Sequence, residues 1–110
     1  MKMMTFAKRC AKEILRDPIN LIFGLGHSTF AIELGHDLWA PVPPSAYHVL
    51  QGAHFIVNLS ADKEILMREE YRRALLREHT AKTICGYVYA SASFGESTRD
   101  NVYAGAASIW

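Results

Sequence analysis

The sequence predicts an α/β domain, and two observations carry that prediction. Short apolar runs at residues 30–34, 55–59 and 84–90 alternate with two stretches of helical character. Strands alternating with helices are the pattern of a sheet with helical cover. The second run is apolar throughout apart from Asn58, as expected of a strand covered on both faces. At 110 residues the chain has the size of one small domain with one modest core.

Each element has a local reason. Residues 5–16 read as an amphipathic helix, with Phe6, Ala7, Cys10, Ala11, Ile14 and Leu15 on one face. Lys8, Arg9, Lys12, Glu13 and Arg16 lie on the other, and Asp17-Pro18 ends it. Residues 30–34 form a short strand that runs into a tight turn at Gly35. Pro43-Pro44-Ser45 opens a helix reaching about Gln51, since proline is tolerated in a first turn, and Gly52 closes it. After the strand at 55–59, residues 68–82 give the strongest helix. Met67, Tyr71, Ala74, Leu75 and Ala81 fall near one of its faces, and Glu69–Arg73 and Glu78–Lys82 are i,i+4 pairs. A third strand follows at 84–90, then a loop at 93–100 and a fourth strand at 101–110. The chain contains no internal repeat and no low-complexity tract.

The run Phe30-Ala31-Ile32-Glu33-Leu34-Gly35-His36-Asp37-Leu38-Trp39-Ala40-Pro41-Val42-Pro43-Pro44-Ser45 is the most specific feature. A buried strand, a tight turn and a proline-led helix are how an α/β enzyme presents a nucleophile at a strand end. With Gly52-Ala53-His54-Phe55-Ile56-Val57-Asn58-Leu59-Ser60-Ala61-Asp62, Glu70-Tyr71-Arg72-Arg73, Gly86-Tyr87-Val88-Tyr89-Ala90-Ser91-Ala92 and Phe94-Gly95-Glu96-Ser97-Thr98-Arg99-Asp100, it resembles the glutaminase domain of the glutamine-dependent NAD synthetases. These form a branch of the nitrilase (carbon–nitrogen hydrolase) superfamily. The resemblance implies a partial nitrilase-like α-β-β-α sandwich over residues 29–110, with about four strands and two covering helices. Residues 1–28 would be a leader, and residues 5–26 resemble the cytoplasmic N-terminal segment of an ABC-transporter permease.

The family hydrolyses an amide with a cysteine thiolate, a carboxylate base and a lysine that stabilises the tetrahedral intermediate. The resemblance puts the cysteine at Gly35, and puts the base and the lysine upstream of residue 30, where this sequence reads differently. It puts substrate contacts at His36, Asp62 and Arg68. Arg68 would pair with the glutamine α-carboxylate in bidentate fashion and Asp62 would hold its α-ammonium. Glutamine is therefore the implied substrate, with hydrolysis not expected from this chain. No cofactor is implied, since ATP and magnesium would belong to a synthetase domain beyond residue 110. The alternatives are a non-enzymatic, self-associating or interaction module, completed by a missing half-domain, and a membrane-surface remnant.

Composition narrows the field further. A net charge of +1 offers no global attraction to nucleic acid. Cys10 and Cys85 make neither a metal-ligand spacing nor a disulfide framework, so a reducing cytoplasm is expected and Cys85 reads as a core residue. The five histidines share no zinc-type spacing, so no metal site is expected. No apolar run approaches the ~20 residues needed to cross a bilayer. A basic face beside an apolar one can still adsorb to anionic lipid. Co-sedimentation of a 1–28 peptide with anionic liposomes checks this; no binding is expected at low or physiological salt, and salt-sensitive binding would favour the membrane-surface reading.

Overall fold

A computed structural model describes residues 21–98 and 100–110. The helix expected at 5–16 lies outside the described residues. Among them the chain forms one five-stranded sheet with strands in sequential order. Strand β1 (Ile22–Leu25) and β2 (Ser28–Leu34) make an antiparallel hairpin. Gly26, at φ +60°, leads its two-residue turn, where positive φ matches the twist of the flanking strands.

A 3-10 turn over Gly35–Trp39 leads to α1 (Pro44–Leu50) and then to β3 (Phe55–Ser60), parallel to β2. Next come α2 (Arg68–Thr83) and β4 (Gly86–Ser91), parallel to β3. The short β5 (Ala107–Ile109) returns antiparallel to β4. Gly52, at φ +102°, follows α1 as expected of a helix-ending glycine.

Four differences from the sequence reading have physical causes. The hairpin strand β1 lies within the stretch read as a leader ending at 28. Ile22 and Phe23 favour a strand, but Gly24 interrupts so short a run, and pairing with β2 is what completes it. Ile84 is not the start of a strand. It caps α2 in the left-handed region at φ +51°, its N–H donating to Thr80 O at 2.8 Å. Half-buried Cys85 just ahead of β4 packs against the core, its Sγ 3.0 Å from Thr83 Oγ1. The strand expected at 101–110 shrinks to three residues, with Asn101 and Tyr103 making isolated bridges to Thr98 and Lys63.

The fourth difference matters most. Helix α2 buries Arg72, Leu76 and His79, while Met67 and Tyr71 of the expected apolar face are exposed. The helix is turned so that Arg72 meets a buried carboxylate and His79 meets Ser45. Specific polar partners outweigh a weak apolar stripe. The exposed i,i+4 pairs are present, Arg73–Glu69 at 2.6 Å and Lys82–Glu78 at 3.4 Å.

The core lies between the helices and one face of the sheet: Ala31, Leu38, Ala53, Ile56, Leu76, Tyr87 and Tyr89 are all buried. Strand register sorts the remaining side chains. The helix-covered face also carries Glu33 and Asn58, both buried. The opposite face carries Phe30, Ile32 and Leu34 beside Phe55, Val57 and Leu59, then Val88 and Ile109. No described element covers it, and Leu34 and Leu59 are more than half exposed. Phe55 lies across Gly86, where a Cβ would come within 2.5 Å of its ring.

Leu76→Ala should destabilise the fold by about 2–5 kcal/mol, because it opens a cavity beneath α2. Urea unfolding checks it; a loss under about 1 kcal/mol would mean that α2 is not anchored through this residue.

Candidate functional site

Because β2, β3 and β4 are parallel, the segments leaving their C-terminal ends emerge at one edge of the sheet. These are the Gly35–Trp39 turn, the loop at 61–67 and the segment at 92–106. In open α/β sheets ligands bind at this edge. The loop is fixed by backbone contacts. Asp62 N donates to Ser91 Oγ at 3.1 Å, while Ala104 N donates to Asp62 O at 3.0 Å and Glu64 N to Val102 O at 2.8 Å.

Asp62 is the centre of the edge. Its side chain is 1% exposed, and Arg68 Nε donates to one carboxylate oxygen at 2.7 Å. Arg72, 4% exposed, donates to the other, also at 2.7 Å. Burial alone would raise the Asp62 pKa, but the hydrogen bonds and charges of Arg72 and Arg68 outweigh it and hold the carboxyl below its ordinary value. Each guanidinium also lies over an aromatic ring, Arg68 4.6 Å from the centroid of Trp39 and Arg72 5.0 Å from that of Tyr89. Trp39 stacks on Tyr71 at 5.4 Å. One carboxylate facing two guanidiniums leaves the cluster with a residual positive charge. Beside it opens a cleft of about 300 Å³ lined by Trp39, Ile65, Leu66, Met67, Arg68 and Tyr71.

Gly35 sits at the end of β2 with φ +53°, its carbonyl 3.5 Å from Asn58 Nδ2. A Cβ at this position would meet nothing within 4 Å, so a side chain would project into open space. The structure therefore brings Asp62 and Arg68 into direct contact and joins them, through Trp39, to the turn that begins at Gly35. His36 is exposed in that turn and takes no part in the ion cluster. Asp37 follows it in the turn. Its backbone carbonyl accepts from Ala40 N–H at 3.1 Å, and no side-chain cap is formed.

Arg72, Trp39 and Tyr89 were not among the expected site residues. Arg72 is four residues after Arg68 and so on the same helical face, a spacing legible in the sequence. Beneath the edge lies a second polar group. Ser45 Oγ is 2.9 Å from His79 Nε2, His79 meets Tyr87 edge-on, and Asn58 Nδ2 donates to Tyr87 Oη at 3.0 Å. Glu33 is 1% exposed, and among the described residues neither of its carboxylate oxygens has a partner at hydrogen-bonding geometry. Burial raises its pKa, with Asp37 adding to the rise; nearby Ser45 and Tyr87 offset part of it. Burial likewise lowers the pKa of His79 and raises that of Tyr87, which favours the neutral form of each. Among the described residues no three His, Cys, Asp or Glu side chains converge to hold a metal ion. No helix among them is long and apolar enough to cross a membrane.

The fold and its C-terminal edge place the chain in a class: a mixed α/β sheet with helices on one face, of the nitrilase-like kind. Three solved structures share that architecture. A glutamine-dependent NAD(+) synthetase from Acinetobacter baumannii aligns with TM-score 0.73 at 15% identity, over 81% of this chain and 16% of that one. One from Cytophaga hutchinsonii aligns with TM-score 0.67 at 22% identity, over 82% and 14%. An amidase of the nitrilase superfamily from Nesterenkonia aligns with TM-score 0.69 at 15% identity, over 81% and 32%.

In sequence, the chain is similar to part of the glutamine-dependent NAD(+) synthetases of Mycobacterium bovis, Mycobacterium tuberculosis and Mycobacterium leprae. It is 42% identical to each over 79 residues, which is 72% of this chain and 12% of each relative. The chain thus spans about an eighth of the length of the curated relatives it matches. No family model matches it. The permease resemblance of residues 5–26 is unsupported, since none of these relatives is a permease and residues 22–25 belong to the sheet.

Glu33 supplies a test of the buried polar layer. A carboxyl whose folded pKa is raised contributes its full stability below the unfolded value of 4.5, and loses it as pH climbs through the folded value. Glu33→Gln, which keeps the shape and removes the ionisation, should therefore match the native chain in stability near pH 4 and exceed it at pH 7. Urea midpoints at the two pH values check this; equal differences at both would show that Glu33 does not titrate on unfolding.

Proposed function

We propose that this chain is a piece of the glutaminase domain of the glutamine-dependent NAD synthetase lineage, one that keeps part of an amino-acid recognition surface and lacks the means to hydrolyse the amide. The observation that carries the reading is Gly35. It stands at the strand end where the resemblance puts the family's cysteine, in a left-handed conformation, with no atom beyond its chain neighbours within 4 Å of where its Cβ would be. The built cluster beside it supports retained recognition. Arg68 is oriented by Asp62 and by the Trp39 ring, and among the described residues its terminal nitrogens make no hydrogen bond, which leaves them for a carboxylate at the cleft.

On this reading glutamine is the ligand, Arg68 contacts its α-carboxylate, and His36 lines the approach. With both carboxylate oxygens on arginines, Asp62 would position Arg68 in place of holding the ammonium group itself. The chain would act in the cytoplasm, and ATP and magnesium would serve a synthetase domain elsewhere. A second reading, a non-enzymatic interaction module, is favoured by one observation: the uncovered apolar face of the sheet.

The chain should release no ammonia from glutamine above a buffer blank in a coupled assay, and an iodoacetamide-sensitive rate would overturn the reading. Gly35→Cys alone should not restore turnover. The left-handed backbone there costs a non-glycine residue about 1–2 kcal/mol. A missing base and a missing oxyanion stabiliser each forfeit on the order of 10²–10⁴-fold. Turnover in that single variant would mean that this chain supplies both partners itself.

A further inference from the structure

We propose that the uncovered face of the sheet pairs with the same face of a second copy of this chain, giving a two-sheet sandwich with helices on both outer sides. The proposal rests on the interaction-module reading and goes further by naming the partner. The face carries no charged residue in its register positions on β1 to β5, so a partner recognised by charge has nothing to grip. The occupant must be flat and apolar.

Its extent is also right for a stable pair. The exposed parts of Leu25, Ile32, Leu34, Phe55, Leu59 and Ile109 amount to on the order of 700 Å², near the ~800 Å² per partner of a standard interface. A patch of that size exceeds what soluble monomers usually leave uncovered.

Relief on the face makes it complementary to itself. A hollow of about 350 Å³ lies toward the N-terminal ends of the parallel strands, lined in part by Leu25, Phe30, Phe55 and Val57. Leu34 and Leu59 stand out at the opposite ends of β2 and β3, 59% and 52% exposed. A two-fold axis between the sheets, perpendicular to the strands, reverses strand direction. It sets the leucines of each copy over the hollow of the other, an isologous contact. Two sheets of the same twist pack face to face about 10 Å apart with their strands roughly 30° off parallel, so identical copies meet the geometric requirement.

The test is the mass of the full chain by light scattering over a concentration series, with an apolar-surface dye added in parallel. The expected result is a discrete dimer of the 12.4 kDa chain that binds little dye. Leu34→Lys and Leu59→Lys should each weaken dimerisation by at least about tenfold, because each puts a charge into an apolar interface. Leu50→Lys, on α1 in the outer helical layer, should leave it unchanged. Should a lysine variant lose its circular dichroism signal, methyl cross-saturation between labelled and unlabelled native chains decides. Transfer at Leu34 and Leu25 supports the pairing, and its absence in a dimer overturns it.

A native monomer that binds dye overturns the pairing and leaves the interaction-module reading standing. A native monomer that binds no dye overturns both. Open-ended aggregates, or a dimer indifferent to both lysines, also overturn the pairing.

Discussion

Asp62 lies in the protein interior with one carboxylate oxygen on Arg68 and the other on Arg72, and the C-terminal edge of the sheet is arranged around that contact. Its backbone is tied to β4 through Ser91 and to the segment before β5 through Ala104. Its side chain fixes the rotation of α2, and through Arg68 it reaches Trp39 and the turn after β2. Removing Asp62 would leave the buried Arg72 guanidinium without its counter-charge, a loss of about 3–5 kcal/mol. The same contact that holds α2 down also aims the one partly exposed guanidinium of the cluster. On the proposed reading, stability and recognition are carried by one interaction.

The two faces of the sheet are unequal in an unusual way. The face under the helices includes Glu33, Asn58, Tyr87 and Tyr89; Asn58 donates to Tyr87 and Tyr89 to Asp62, while the Glu33 carboxylate has no hydrogen-bond partner among the described residues. The uncovered face is the more apolar of the two. Among the described residues the open side leaves more apolar surface exposed than soluble monomers usually do. That imbalance gives the interaction-module reading its physical content.

At Gly35 the geometry of a strand-end turn persists without a reactive side chain. The backbone is in the conformation that glycine adopts most readily, and open space adjoins it. The neighbouring cluster does not depend on what Gly35 carries, since Trp39, Arg68 and Asp62 hold one another.

The sequence by itself determined the class of fold, two of the helices and the exposed ion pairs of α2, the central strands, and the position of Gly35 at a strand end. Those follow from local causes: apolar runs, proline and glycine at helix ends, and residues four apart on a helix. It also singled out Asp62 and Arg68, without showing that they bond to each other. Only the tertiary structure decided that α2 buries Arg72 and His79 in place of Tyr71 and Ala74, because their partners come from other elements. Only pairing made Ile22–Leu25 a strand, and only the register of five neighbouring strands put every large apolar side chain of the open face together. Such choices depend on residues distant in the chain meeting in space, which no local pattern encodes.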